Sequence, residues 1–185
     1  MPDLIGVTQA DDILPQYRDT PIARLFEYHN LGRAFELHPS AEMLIGMCMD
    51  NRKTLRIPDL FAYVLRTGGA NLRYSKFHVA YAIGVGRAQA IALIAHTNCG
   101  MAGLMSKREL FVAGMVEHAG WSAEHAEEHF MNYAAMFEID NEIDFVVSEA
   151  QRLRGRYPAL PIAPLLYRVE DDLLYQIDEG AGTVV

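Results

Sequence analysis

Three residues of the sequence have side chains that bind transition metals. Cys48 and Cys99 are the only cysteines of the chain, and His96 precedes Cys99 by three residues. Two thiolates and one imidazole form a ligand set that zinc prefers, and three protein ligands leave a fourth coordination position open, as in catalytic zinc sites. A free cysteine is otherwise often a small buried hydrophobe. The pattern therefore indicates a catalytic zinc if the neighbouring residues support one.

Two charged residues, Asp50 and Arg52, follow Cys48 at alternate positions. Alternate residues of an extended segment point to the same side, so we expect both side chains on the side of the Cys48 thiol. An arginine orients a neighbouring carboxylate and keeps it charged through a bidentate pair. We expect this aspartate either to accept a hydrogen bond from a metal-bound hydroxide or to bind the metal itself.

The cysteine motifs lie at the ends of predicted buried strands. Short apolar runs predict strands at 43–48, 62–65 and 91–95, with helices between and after them. Strands that alternate with helices predict an α/β fold with a parallel sheet that is buried on both faces. Chemistry in such sheets gathers at the carboxyl ends of the strands. Three segments fall at those ends: 48–52, 66–70 and 96–100.

The second half of the chain is predicted to be mainly helical before a closing hairpin. Ser106 and Glu109 have the spacing of a capping box, and Ser122 suits an N-cap, so they predict two helices in a helical segment at 101–138. The remaining predicted elements are a helix after Thr20, helices at 74–85 and 141–154, and strands at 161–169 and 173–177.

Length and composition restrict the function classes. The chain has 185 residues and a net charge of -8, with 16 Lys and Arg residues against 24 Asp and Glu residues. One domain over 1–185 is expected at this length. The acidic balance argues against a nucleic-acid or anionic-membrane partner. No apolar stretch reaches the roughly 18 residues of a membrane span. Residues 1–10 lack the pattern of a secretory signal, so a cytoplasmic location is expected.

The order of the motifs resembles that of the β-class carbonic anhydrases. The resemblance rests on two motifs, Cys48-x-Asp50-x-Arg52 and His96-x-x-Cys99-Gly100. Between them, where that family has an Arg-Asn-Ala-Gly-like turn, the chain has Arg66-Thr67-Gly68-Gly69. With the first helix and the closing strands, the resemblance covers most of the chain.

The resemblance implies one zinc ion per chain, bound by Cys48, His96 and Cys99. It also implies that Asp50 and Arg52 are catalytic. The expected reaction is the reversible hydration of carbon dioxide to bicarbonate by zinc-bound hydroxide.

The resemblance further implies a mainly parallel sheet flanked by helices. It implies a helical arm at 1–40 that lies over a partner subunit, and a homodimer or a larger even homo-oligomer. Because glycine allows close approach of backbone to a ligand, Gly68, Gly69 and Gly100 are predicted to line a small substrate pocket.

The chain also differs from the family pattern. Thr67-Gly68 stands in place of Asn-Ala, no glutamine occurs between Thr20 and Cys48 where many members have one, and segment 101–138 is longer than its counterpart. None of these differences involves a predicted zinc ligand. Two alternatives therefore stay open: hydrolysis of carbon disulfide or carbonyl sulfide at the same zinc, and a non-catalytic, zinc-stabilised assembly subunit that interacts through 101–138.

Overall fold

Six strands form one sheet in the order β1-β6-β5-β4-β2-β3, in a computed structural model that describes residues 2–180. The strands are β1 Asp3–Gly6, β2 Met43–Cys48, β3 Ala62–Thr67, β4 Ile91–His96, β5 Ile162–Arg168 and β6 Leu173–Asp178. The helices are α1 Pro21–His29, α2 Lys76–Gly84, α3 Arg108–Ala119, α4 Ala123–Phe137 and α5 Glu142–Arg156. Residue 1 and residues 181–185 of the predicted domain lie outside the described residues.

The centre of the sheet is parallel and buried. Strand β2 pairs in parallel with β3 and β4, and β4 pairs in parallel with β5. Strand β6 joins β5 and β1 antiparallel. Every residue of β2 and of β4 is buried, as expected for apolar strands that are covered on both faces. The predicted, mainly parallel α/β fold is therefore confirmed, and so is the closing hairpin.

Helices cover both faces of the sheet and so fix its carboxyl edge. Ile45 points into the apolar cluster beneath α1, whereas its neighbour Leu44 points into the cluster beneath α2 and α5. Gly46 allows close packing on the second face. A Cβ atom there would lie 2.8 Å from Leu72 Cδ1 and 3.0 Å from Leu93 Cδ2. Strands β2 and β4 are thus held firmly between two apolar layers.

The predicted helical segment contains a hairpin of α3 and α4. No residue of α3 is buried, and the helix packs against α4 and the turn that precedes it. The predicted capping box is wrong, because Ser106 lies in a 3-10 turn and its hydroxyl donates to the Gly103 carbonyl. Ser122 does cap α4, since its side chain accepts the His125 N–H.

The N-terminal segment contains a strand that the apolar pattern does not predict. Strand β1 has four mostly exposed residues, so it lacks the alternation that would reveal it, yet it pairs with β6. Helix α1 buries Ile22, Leu25 and Phe26 against the sheet of its own chain. The predicted contact of the 1–40 arm with a partner subunit stays a prediction.

An apolar surface lies beside the exposed edge of the sheet. Helix α2 presents Phe77 and Tyr81 to solvent, and Val85, directly after the helix, is exposed at the same four-residue spacing. Tyr63 of the edge strand β3 lies against Gly86, directly after this helix. Over residues 2–180, no helix has the length and apolar character needed to cross a membrane.

Candidate metal centre

Cys48, His96 and Cys99 come together at the carboxyl ends of β2 and β4. Cys48 ends β2, His96 ends the neighbouring β4, and Cys99 follows in the next loop. All three residues are buried, and their ligand atoms lie within 4.8 Å of one another. The two sulfurs are 3.9 Å apart. Two thiolates on a tetrahedral zinc would be about 3.8 Å apart, given Zn–S bonds of about 2.3 Å.

The imidazole of His96 is oriented for metal binding. Its Nδ1 lies 3.0 Å from the Thr97 carbonyl oxygen. A carbonyl only accepts hydrogen bonds, so Nδ1 carries the proton and Nε2 carries a lone pair. Nε2 is buried and has no hydrogen-bond partner among the described residues. A buried nitrogen that lacks a partner is costly unless a ligand satisfies it, so His96 fits a zinc ion.

The two thiols share a proton unequally. The Cys48 and Cys99 sulfurs lie within hydrogen-bond distance, and a hydrogen bond with the Cys99 side chain lowers the pKa of Cys48. The Gly69 N–H, 3.4 Å from the same sulfur, also favours the thiolate. The shared hydrogen bond and burial raise the pKa of Cys99. Metal binding would release the remaining proton, because only thiolates bind zinc.

Asp50 lies beside this cluster and is held by Arg52. Arg52 Nε is 3.0 Å from Asp50 Oδ1, and its Nη2 is 2.6 Å from Oδ2. The hydrogen bonds from Arg52 keep the pKa of Asp50 well below its usual range. Asp50 Oδ2 is 3.9 Å from His96 Nε2, so a charged acceptor stands next to the unpartnered nitrogen.

Arg52 also joins the two loops of the site. Its Nη2 donates to the Asn98 carbonyl at 2.9 Å, which connects the loop after β2 to the loop after β4. Asp50 and Arg52 are more exposed than the three buried ligand residues. The ion pair therefore forms the solvent side of the cluster.

Two further cations hold the turn that carries Cys48 and Asp50. Lys53 Nζ lies 3.5 Å from the Cys48 carbonyl oxygen and 3.3 Å from the Asp50 carbonyl oxygen. Arg66 Nη1 lies 3.3 Å from both of these oxygens. Burial lowers the pKa of Lys53, and the negative charge of Cys48 opposes that effect. The sequence pattern gives no indication of the role of Lys53, because a single lysine in a polar loop is normally exposed.

The predicted pocket glycines occupy different surroundings. Gly69 is buried with a φ of 64°, and its N–H faces the Cys48 sulfur. Gly68 is also buried, and a Cβ atom there would lie 3.0 Å from Met101 Sδ. Gly100 is exposed, and its carbonyl accepts a hydrogen bond from Lys107. The pocket-lining role of all three glycines stays a prediction.

The loop that carries Cys99 is fixed by two acidic residues that sequence reasoning does not identify. Glu142 Oε1 accepts the Cys99 N–H at 2.9 Å from the first turn of α5. Glu170 accepts hydrogen bonds from the side chains of Thr97 and Asn98. These contacts join positions more than forty residues apart, which no local spacing reveals.

Comparison with known proteins identifies the fold. Compared by sequence, the chain matches no protein-family model and no curated protein. Its structure is similar to a carbonic anhydrase from Glaciozyma antarctica, at 20% identity and a TM-score of 0.58, over 89% of this chain and 96% of that one. It is also similar to β-carbonic anhydrase isoform I from Trichomonas vaginalis, at 19% identity and a TM-score of 0.61, over 80% and 90%. The chain has the β-carbonic anhydrase fold.

The same fold includes a different activity. The chain is similar to a carbon disulfide hydrolase at 18% identity and a TM-score of 0.53, over 93% of this chain and 100% of that one. The neighbours of this chain thus include more than one enzymatic activity on the same fold. Fold alone does not define the substrate, which has to be argued from the site.

Proposed function

We propose that the chain is a zinc-dependent carbonic anhydrase that converts carbon dioxide and water reversibly to bicarbonate and a proton. The observation that carries the proposal is the cluster of Cys48, His96 and Cys99, in which the imidazole Nε2 has no partner among residues 2–180. The fold, shared with carbonic anhydrases from two organisms, supports it. These three residues would hold one zinc ion per chain.

Zinc, when bound, lowers the pKa of water to about 7 and so supplies a nucleophile at neutral pH. The chain contributes a fixed acceptor beside it. Asp50 is ionised, because Arg52 stabilises its charge, and an ionised carboxylate only accepts hydrogen bonds. At the open coordination position, Asp50 would therefore favour a ligand that donates a proton to Oδ2 and disfavour a ligand without such a proton.

Arg52 keeps Asp50 in one orientation. Its guanidinium binds both carboxylate oxygens and the Asn98 carbonyl, so the aspartate is fixed relative to the loops of both strands. Such positioning lets the carboxylate act without reorganising during the reaction.

We further propose that Gly68, Gly69 and Gly100 border the space for carbon dioxide. Gly69 supports this role because its N–H lies 3.4 Å from the sulfur of Cys48, one of the proposed zinc ligands. A linear triatomic substrate needs little more than the space that absent side chains leave.

A homodimer or larger even homo-oligomer, with the 1–40 arm over the partner, is part of the proposal. The exposed stripe of Phe77, Tyr81 and Val85 supports it, since apolar side chains on a free surface are costly unless a partner covers them. A cytoplasmic location is also proposed, where both thiols would stay reduced.

Hydrolysis of carbon disulfide or carbonyl sulfide is the second candidate. It is favoured by the similarity to a carbon disulfide hydrolase and by Thr67-Gly68 in the turn beside Cys48. Both reactions would use the same zinc ligands and the same Asp50.

One set of assays separates the candidates. Zinc content of the purified full chain is measured first, and carbon dioxide hydration is then assayed beside hydrolysis of carbon disulfide and carbonyl sulfide. The pH range is about 7 to about 9, which covers the pKa values of protein-bound and free aqueous zinc water. We expect about one zinc per chain and hydration as the faster reaction.

The Asp50→Asn variant tests the role of the acceptor. Its amide can donate a hydrogen bond where the carboxylate only accepts, so hydration should fall at least about 100-fold while the zinc content stays near that of the wild type. Equal loss of zinc and activity would identify Asp50 as a ligand. In the wild-type chain, zinc binding with hydrolysis of carbon disulfide or carbonyl sulfide but no hydration of carbon dioxide would favour the second candidate. Zinc binding by the wild-type chain without any of the three activities would favour the assembly subunit.

A further inference from the structure

Lys53 is a buried cation without a carboxylate partner. Its side chain belongs to a residue that is 1% exposed, and no ion pair involves it among the described residues. Lysine is almost never fully buried unless it is paired. Removing an ammonium group from water is strongly unfavourable, so something in its surroundings must offset the cost.

The surroundings of Lys53 are the backbone of the metal centre. Its ammonium contacts the carbonyl oxygens of Cys48 and Asp50 and makes no hydrogen bond to a side chain in the described part of the chain. One carbonyl belongs to Cys48, a proposed zinc ligand, and the other to Asp50, the proposed hydrogen-bond acceptor. Burial disfavours the charged form of Lys53, and the negative charges of Cys48 and Asp50, which belong to the site itself, favour it.

Arg66 contacts the same two carbonyls from the end of β3 and so completes the arrangement. One of its nitrogens lies 3.3 Å from each oxygen, and another donates to the Lys53 carbonyl at 3.2 Å. The turn from Cys48 to Lys53 is thus held by two cations. Arg66 is an exposed residue, so solvent screens its charge, whereas the charge of the buried Lys53 is screened much less.

We propose that Lys53 is a positioning residue of the metal centre, whose buried ammonium fixes the turn that carries Cys48 and Asp50 and compensates the negative charge of the two thiolates. The inference rests on the proposed zinc site but not on the identity of the substrate. It explains why the fold retains a lysine where an apolar side chain would fit a buried position at lower cost.

The Lys53→Met variant removes the charge and keeps the length of the side chain. A purely structural lysine would show its loss in the stability of the metal-free protein. A positioning lysine shows it in metal binding. We expect the zinc Kd, measured by competition with a chromophoric chelator, to rise about 10- to 100-fold, the range for residues that support metal ligands. The Tm of the metal-free variant should equal or exceed that of the wild type, because a buried charge is replaced by an apolar group.

A matched control is Lys76→Met, at the exposed start of α2, which should leave the zinc Kd unchanged. In the zinc-loaded Lys53→Met variant, kcat should fall more than KM rises, since the turn orients Asp50. Should the methionine variant fail to fold, Lys53→Gln keeps a donor for the carbonyls but lacks the charge. Its zinc Kd should still rise at least about tenfold.

A wild-type zinc Kd in the folded Lys53→Met variant, or in Lys53→Gln, would overturn the inference. That result would leave the proposed reaction intact. Conversely, a wild-type chain that binds zinc but does not hydrate carbon dioxide would overturn the reaction, and the zinc Kd of the variants would still decide the role of Lys53.

Discussion

Two buried histidines lie at opposite ends of the sheet and differ in their hydrogen bonding. His38 precedes β2, and both of its ring nitrogens have partners, Tyr28 Oη at 3.0 Å and Glu42 Oε1 at 2.9 Å. His96 ends β4, and only its Nδ1 has a partner within residues 2–180. Burial is similar at the two positions. The unpartnered nitrogen, and not the burial, therefore distinguishes a candidate metal ligand from a structural histidine.

The neighbouring charges make the same distinction. Each histidine has a carboxylate and an arginine nearby, Glu42 with Arg24 and Asp50 with Arg52. Glu42 bonds directly to the ring of His38. The arginine instead holds Asp50 Oδ2 at 3.9 Å from the His96 nitrogen. Both ring nitrogens are thus satisfied at His38, whereas Nε2 of His96 has no hydrogen-bond partner within residues 2–180.

The largest predicted difference between the two histidines is in zinc binding. Replacing His96 by alanine removes a metal ligand. Loss of a residue that only supports a ligand weakens metal binding about 10- to 100-fold, so the zinc Kd of His96→Ala should rise by more than that. His38→Ala should leave the zinc Kd unchanged, because neither of its partners contacts the cluster. Titration of each variant with a competing chelator measures both values.

Thermal stability should give the opposite order for the metal-free proteins. His38→Ala leaves Tyr28 and Glu42 without a buried partner, which costs about 1–3 kcal/mol. In a chain of this size that lowers Tm by about 2–4 °C for each kcal/mol. A chelator should lower the Tm of the wild type and of His38→Ala, but not that of His96→Ala. A chelator effect of equal size in all three proteins would show that His96 is not needed to hold the metal.

A smaller effect is predicted at His29, a partly buried histidine whose nitrogens are both satisfied. Its Nδ1 accepts the Arg56 N–H and its Nε2 donates to the Asp172 carbonyl, so the folded chain holds the neutral ring. Burial lowers the pKa of His29. Below the ordinary histidine pKa of about 6.5, the unfolded chain therefore binds a proton that the folded chain does not, so stability decreases as the pH is lowered.

Urea unfolding at about pH 7.5 and about pH 5.5 tests this linkage, since the two values lie on either side of the ordinary pKa. The loss of stability between them should be smaller in His29→Asn than in the wild type. The other histidines contribute equally to the pH dependence of stability in both proteins, so their contribution cancels when the two losses are compared. An equal or larger loss in the variant would show that His29 is not the group responsible.

Much of the fold could be predicted from residue pattern. Strands β2 and β4 are short apolar runs, and such runs are typical of parallel strands that are covered on both faces of a sheet. The helix caps at Thr20, Ser122 and Asn141 each accept a backbone N–H, because their side chains suit that geometry. Strand β1 could not be predicted, since its register with β6 depends on pairing across the whole chain and not on its own four residues.

Less of the site could be predicted. The types and spacing of Cys48, His96 and Cys99 indicate a shared ligand set, because parallel strands bring their carboxyl ends to one edge. The supporting contacts of Lys53 and Glu142 could not be predicted in the same way. Each depends on where a side chain points after folding, and neither residue type is specific for a metal centre.

X-ray absorption at the zinc edge tests the central claim, that Cys48, His96 and Cys99 bind zinc, most directly. The purified full chain should show two sulfur neighbours at about 2.3 Å and two lighter neighbours at about 2.0–2.1 Å. The His96→Ala variant should lose this spectrum, whereas His38→Ala should keep it. A zinc shell without sulfur in the wild type, or an unchanged spectrum in His96→Ala, would contradict the account.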